Sequence, residues 1–176
     1  MDNKATLDVS VAEYDLVFFK VLEITDYDHF VTPFMHKYVE LDRKYYMADP
    51  HFSDYKTYHT MEENSDMFNR YLLYRGITVA PIITGDAFHL FKNLEDAVKY
   101  IDEISEESRR LSQDLIIVKA IIPKGTEYVE GYSPFEIWGG GINNLPYIRM
   151  YSSIATKSVT YKAFGIEDPY FKYARY

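Results

Sequence analysis

The chain of 176 residues carries a formal net charge of -8, and 47% of its residues are hydrophobic. This length predicts a single domain over residues 1–176 with a real apolar core, and the acidic charge disfavours generic binding to nucleic-acid phosphates. The absence of cysteine excludes disulfide bonds, thiolate zinc sites and a cysteine nucleophile.

The first ten residues and the hydropathy of the chain indicate the cellular compartment of the protein. Residues Met1–Ser10 lack the basic and apolar parts of a secretory signal peptide. No apolar run approaches the length of about 18 residues that a membrane helix needs. We therefore expect a cytoplasmic protein that does not associate with membranes.

The first half of the chain predicts strands separated by polar loops. Leu16–Ile24 is apolar and β-branched, which is typical of a strand, and Phe34–Leu41 leads into a further strand and turn. Ala48–Asp66 is polar and irregular. Its histidines, His51 and His59, have a spacing that does not favour a metal site, so we expect no bound metal.

An amphipathic helix is predicted over Leu94–Ser112. Asn93 is a favourable N-cap residue, and the acids Glu95 and Asp96 suit the positive end of the helix dipole. Apolar residues recur at helical spacings and form one face, which comprises Leu94, Val98, Ile101, Ile104 and Leu111.

The segments after the helix complete the predicted fold. Leu115–Ile122 predicts a central strand, Gly131–Pro146 with its glycines and prolines predicts a loop, and Tyr147–Ser152 and Lys157–Ala163 predict two more strands. The predicted class is α+β: one compact domain, a mixed or antiparallel sheet, and one long helix (about 94–112) packed on it. The predicted core comprises Leu16, Val17, Phe19, Val21, Val98, Ile101, Ile104, Leu115, Ile117, Val118 and Ile121.

Three segments are predicted to converge on one face: the helix start at His89–Asn93, the loop Tyr132–Leu145 and the strand end at Tyr151–Ser153. A strand-helix-strand unit places the loop before the helix at the edge where strands end, and ligands bind at such edges. Trp138, beside three glycines, is either an aromatic anchor on this surface or a cap on the core. The predicted ligand-binding residues are Arg75, His89, Trp138, Tyr151, Ser152 and Ser153.

His89 lies between apolar neighbours just before the helix. It would act as a general base or ligand-binding group if it is functional, and it would donate to a backbone carbonyl if it is structural. The sequence leaves both interpretations open.

The order Arg75, Ser152, Ser153, Glu167 has a chemical interpretation. An arginine can clamp a pyrophosphate, a serine can hold a ribose, and an acid can stabilise an oxocarbenium ion. This order resembles ADP-ribosyltransferases of the Arg-Ser-Glu class, which implies a transferase that uses NAD. The chain departs from that class in its serine pair, which replaces Ser-Thr-Ser, and in Gly165, which stands where the class has a second acid.

A second resemblance covers about half of the chain. The stretches YVELDRKY, FHLFKNLEDAVKY, IIPKGTEYVEG and YSSIATKSVTYK resemble small domains of phage and mobile-element genomes. Asp42 and Ala87 stand where the pattern of those domains has glycine. The resemblance implies a compact α+β domain of phage origin and no particular activity.

Tyrosine is unusually frequent, with 18 residues. Tyrosine covers a large area at low entropic cost and suits binding surfaces, although strand-rich chains also contain many tyrosines. The composition, the glycine-rich loop and the lack of a catalytic set predict a non-enzymatic binding protein without a cofactor, and the resemblance implies a phage origin, so that the protein would engage a host protein or sequester a nucleotide-like ligand in the host cytoplasm. The alternatives are an ADP-ribosyltransferase-like enzyme that uses NAD, and a structural or accessory phage protein.

Overall fold

The computed structural model describes residues 9–25, 29–33, 37–50, 52, 86–108, 115–137 and 147–168. These residues form ten strands in one antiparallel sheet, together with one helix. The strands are β1 (Ser10–Val11), β2 (Leu16–Ile24), β3 (Phe30–Val31), β4 (Tyr38–Val39), β5 (Lys44–Tyr46), β6 (Phe88–Phe91), β7 (Leu115–Ile122), β8 (Glu127–Ile137), β9 (Tyr147–Thr156) and β10 (Ser158–Lys162), and the helix is α1 (Leu94–Ser108). Within the described part, no helix is long and apolar enough to cross a membrane.

The sheet closes on itself because β9 and β10 are almost one strand. Its order is β1-β8-β9-β6-β2-β7-β10-β5, with β3 and β4 attached beside β2. Only Lys157 separates β9 from β10, so the row β9-β6-β2-β7-β10 starts and ends on one bent strand. The Lys157 N–H donates to the Glu127 carbonyl, and its own carbonyl accepts from the Met47 N–H. The closure gives the sheet an inner face and an outer face.

Among the described residues, the inner face holds one of two large apolar clusters. Leu22 on β2 packs there with Ile116 and Val118 on β7, and Tyr45 and Tyr161 contact each other with ring centroids 6.2 Å apart. Full burial of an aliphatic side chain stabilises the fold by roughly 1.5–3 kcal/mol before the entropy cost. The buried members of this cluster are Ala12, Leu22, Val39, Leu90, Ile116, Val118, Ala120, Ile122, Ile154, Val159 and Tyr161.

The outer face is covered in part by α1. Ala97 and Ile101 of the helix pack against the sheet in a second cluster that includes Phe19 and Ile117. The apolar stripe of the helix thus faces the sheet, as its periodicity predicted. Val17 was wrongly predicted as core, since it is 50% exposed and lies outside both clusters.

The predicted α+β class with a long helix was wrong. The described residues are mostly antiparallel sheet, and the one helix among them has 15 residues; its predicted end at Ser112 lies outside those residues. Strands β2 and β7 have the predicted bounds, but β8 runs for 11 residues into the predicted loop. Gly131 and Pro134 suggested a break there, although an edge strand accepts a proline whose nitrogen points away from the neighbouring strand.

Two described residues have a positive φ and mark turns. Gly125 (φ 86°) lies in the turn between β7 and β8, where the Thr126 N–H donates to the Pro123 carbonyl, and glycine adopts this conformation without steric cost. Asp42 (φ 66°) lies between β4 and β5. Aspartate tolerates this region better than most residues, and the phage-domain pattern has glycine at this position.

Candidate functional site

The junction between α1 and β9 contains the most strongly connected polar and aromatic residues of the predicted site. The Tyr151 hydroxyl donates to the Glu103 carboxylate, and Tyr151 is buried. Its ring contacts Phe91 edge-on, with centroids 5.5 Å apart, and Tyr100 edge-on at 6.0 Å. A charge-assisted hydrogen bond inside an aromatic cluster fixes the position of β9 against the helix.

The helix start is attached to the same strand. The Lys92 N–H donates to the Ser152 carbonyl at 3.0 Å, and the Ser152 N–H donates to the Asp96 carboxylate at 3.2 Å. The Lys92 ammonium forms an ion pair with Glu130 of β8 at 3.1 Å. Asp96, predicted as a helix-start acid, therefore accepts a hydrogen bond from the neighbouring strand.

The structure brings together some of the predicted ligand-binding residues. His89 is half-buried on β6 opposite Ala155, and Tyr151, Ser152 and Ser153 lie on the neighbouring strand β9. Ser153 is buried, and its hydroxyl donates to the Tyr151 carbonyl at 3.0 Å. Arg75 and Trp138 lie outside the described residues, as does most of the predicted loop. Glu167 is exposed in the turn that follows β10.

Sequence reasoning missed Lys20, which lies on the inner face of β2 between the apolar Phe18 and Leu22. Its ammonium donates to the His89 carbonyl at 2.9 Å. Strands β2 and β6 pair at Phe19 and Phe91, so this hydrogen bond adds a second link between the two strands. Burial lowers the pKa of Lys20 from 10.5 to about 8, because a low-dielectric environment disfavours the charged amine. The signal in the sequence was a lysine in alternation with apolar residues.

The pairing of β8 with β9 continues beyond the part of each strand that pairs with another described strand. The two strands pair from Tyr128 to Ile137 of β8, whereas β6 pairs with β9 no further than Ser153. On the other side of β8, β1 pairs with only Glu127 and Tyr128. Among the described strands, residues 134–137 of β8 and 147–150 of β9 pair only with each other.

Within the described part of the chain, one edge of β8 has no neighbouring strand beyond Tyr128. The Glu127 carbonyl accepts from Lys157 on the β9 side, and the Thr126 carbonyl accepts from Ala12 on the β1 side. Along an antiparallel strand, the N–H and C=O groups of successive residues point to opposite sides. The even-numbered residues of β8 therefore direct their N–H and C=O groups away from β9. Beyond Tyr128, the outward positions are Glu130, Tyr132, Pro134 and Glu136. Among the residues that the structure describes, no strand other than β9 pairs with these four.

Comparison with known proteins gives no assignment: no family model, no curated protein and no solved structure matches the chain. The described part also contains no group of three or more His, Asp or Glu side chains arranged to hold a metal ion. The geometry itself therefore has to indicate the chemistry. The contacts between α1 and β9 fix the position of β9. The edge of β8 that faces away from β9 presents backbone N–H donors and C=O acceptors.

Proposed function

We propose that the protein is a non-enzymatic binding protein that engages another protein. The observation that carries the proposal is the edge of β8 beyond Tyr128, which has no neighbouring strand among the residues that the structure describes, because a row of unpaired backbone N–H and C=O groups is a template for another chain. Val9 and Val11, which are 51% and 56% exposed, lie beside the start of this edge. Exposed apolar side chains next to an open strand suit a protein partner.

A protein partner also fits the engaged state of the junction residues. Tyr151 and Ser153 are buried. The Tyr151 hydroxyl donates to Glu103 and the Ser153 hydroxyl donates to the Tyr151 carbonyl, so both side chains stabilise the fold and do not face a ligand. The burial of Ser153 gives no support to the alternative in which this serine contacts NAD. A phage origin, a host-protein partner and a cytoplasmic location belong to the same proposal; they come from the resemblance and the composition.

Site-specific photocrosslinking tests the proposal. A photoreactive residue is placed at Tyr132, Tyr46 or Tyr38, with exposed Lys99 of α1 as the control position, and the full chain is expressed in candidate host cells. We expect a discrete protein adduct from at least one tyrosine position and none from the control. A folded protein that gives no adduct at any tyrosine position contradicts the proposal.

A thermal-shift screen separates a small-ligand function from protein binding. NAD, ADP-ribose, cyclic dinucleotides and mononucleotides are each added to the full chain. A ligand at 100 times its dissociation constant would add about 2.7 kcal/mol to the free energy of unfolding. Such a shift would favour the nucleotide-binding or transferase alternative over a protein partner.

A further inference from the structure

Lys20 is a cation on the inner face that has no counterion in the described part of the chain. Inner and outer positions alternate along β2, β7 and β10, and Lys20 is the one charged residue at the inner positions of these strands. Its ammonium donates to the His89 carbonyl at 2.9 Å, but none of the ion pairs among the described residues involves it. An ammonium carries three N–H groups, and a charge that is withdrawn from water and left unpaired is costly. The inner face therefore lacks one negative charge and keeps hydrogen-bond donors for it.

Lys20 also lies at an interruption in the strand pairing. On one side, β2 pairs with β7 continuously up to Glu23. On the other side, β2 pairs with β6 at Phe19 and with β3 from Glu23, and no described strand pairs there with the residues between. The Lys20 side chain reaches across to β6 through the His89 carbonyl. A charged side chain thus joins the two strands at a point where backbone pairing does not.

Aromatic side chains lie on the inner face around this cation. Phe18 is the preceding inner residue of β2, and Phe88 lies on β6 beside the carbonyl that Lys20 contacts. The Phe88 and Tyr45 ring centroids are 6.3 Å apart, and those of Tyr45 and Tyr161 are 6.2 Å apart. Phe18, Phe88 and Tyr45 pack against the inner cluster, yet they stay partly accessible to solvent, as does Lys20. These rings offer an apolar body a surface beside the unpaired charge.

Tyr161 is a second polar residue that the inner cluster leaves unmatched. It is 3% exposed, and its hydroxyl forms no hydrogen bond among the residues that the structure describes. Buried hydroxyls in folded proteins normally bond to the protein, to water or to a bound molecule. Two unmatched polar groups in one cluster are typical of a binding site and not of a closed apolar core.

We propose that the inner face binds a small aromatic carboxylate, whose carboxylate pairs with the Lys20 ammonium and whose ring packs against Phe18, Phe88 and Tyr45. One ammonium matches a single negative charge, and contact between rings favours an aromatic body. Binding would also favour the charged form of Lys20, whose pKa is lowered to about 8 by burial. This site lies apart from the edge of β8 and does not depend on a protein partner.

Two probes of similar size test the pairing in the unmodified chain. The first is 3-phenylpropionate, and the second is the uncharged 3-phenylpropan-1-ol. Each is titrated at neutral pH into the isotopically labelled full chain, and binding is followed by NMR. We expect saturable binding of the carboxylate, with nuclear Overhauser contacts from its ring to Phe18, Phe88 and Tyr45. The alcohol should bind at least tenfold more weakly, because it offers the ammonium no negative charge.

Matched variants locate the charge that the carboxylate meets. Lys20→Met removes the ammonium and keeps a side chain of similar length. Lys162→Met is the control, because Lys162 is exposed on β10 and its loss changes the net charge by the same amount. Lys20→Met should weaken binding of the carboxylate at least tenfold, and Lys162→Met should leave it unchanged. If Lys20→Met does not fold, the comparison of the two probes in the unmodified chain still tests the pairing.

Several outcomes would overturn the proposal. They are no saturable binding of the carboxylate, equal binding of the carboxylate and the alcohol, an equal effect of the two lysine variants, and ring contacts confined to residues outside the inner cluster. None of them bears on the edge of β8, so the proposed protein-binding function stands or falls separately in the photocrosslinking experiment.

Discussion

Lys20 should make the stability of this protein rise with pH in the alkaline range. Its pKa is about 8 in the folded chain, against an ordinary value of 10.5. Below pH 8 both states carry the proton, and the cost of burying the charge is fully present. Between pH 8 and 10.5 the folded state loses the proton first, so the unfolded state binds more protons and the free energy of unfolding increases.

The magnitude follows from the two pKa values. A full difference of 2.5 units corresponds to about 3.4 kcal/mol, and about 2.5 kcal/mol of it should develop between pH 7 and pH 10. Above pH 10 the buried Tyr161 acts in the opposite direction, because burial raises its pKa and the unfolded tyrosine ionises first. The measurement should therefore stop near pH 10.

Urea denaturation at half-unit pH steps measures this dependence, and Lys20→Met is the matched variant. Methionine has a similar length but cannot titrate, so the rise between pH 7 and pH 10 should disappear. Its stability at pH 7 combines two opposing effects, since the substitution removes a buried charge and also removes the ammonium that donates to the His89 carbonyl. Parallel pH profiles for the two proteins would refute the reasoning and would show that the ammonium reaches water.

Three further predictions concern the packing around the outer face. Ile101→Ala should cost about 2–5 kcal/mol in chemical denaturation, because Ile101 is fully buried between α1 and the sheet; a loss below half a kcal/mol would contradict that placement. Tyr151→Phe should cost about 1–3 kcal/mol because it removes the hydroxyl that donates to the Glu103 carboxylate, and Glu103→Gln, which keeps an acceptor, should cost less; equal losses would show that the hydrogen bond depends entirely on the charge of Glu103. A hydrogen bond and ion pair with Lys119, with a second hydrogen bond from a backbone N–H, hold the pKa of Asp168 below its ordinary value. The stabilising contribution of Asp168 should therefore be present near neutrality and lost as pH falls through that lowered pKa. In Asp168→Asn, an NMR-monitored acid titration should no longer show this loss of stability.

The sequence by itself determined the local elements whose signal is contained in a short window. Strands β2 and β7 have the bounds that their apolar, β-branched runs predicted, and the apolar stripe of α1 faces the sheet. Gly125 adopts the left-handed conformation that the turn after β7 needs. In each case neighbouring residues alone supply the physical cause: side-chain periodicity, steric preference or backbone freedom.

Tertiary structure alone decided the class of the fold and the candidate surface. Pro134 disrupts a strand only if its nitrogen faces a neighbouring strand, and the pairing with β9 places that nitrogen on the open side. Lys20 on an apolar strand finds its acceptor on β6, 69 residues away in sequence. Among the described residues, β1 pairs with β8 only at Glu127 and Tyr128 while β9 pairs along the rest of β8, and such a difference in strand length arises only when distant segments pair.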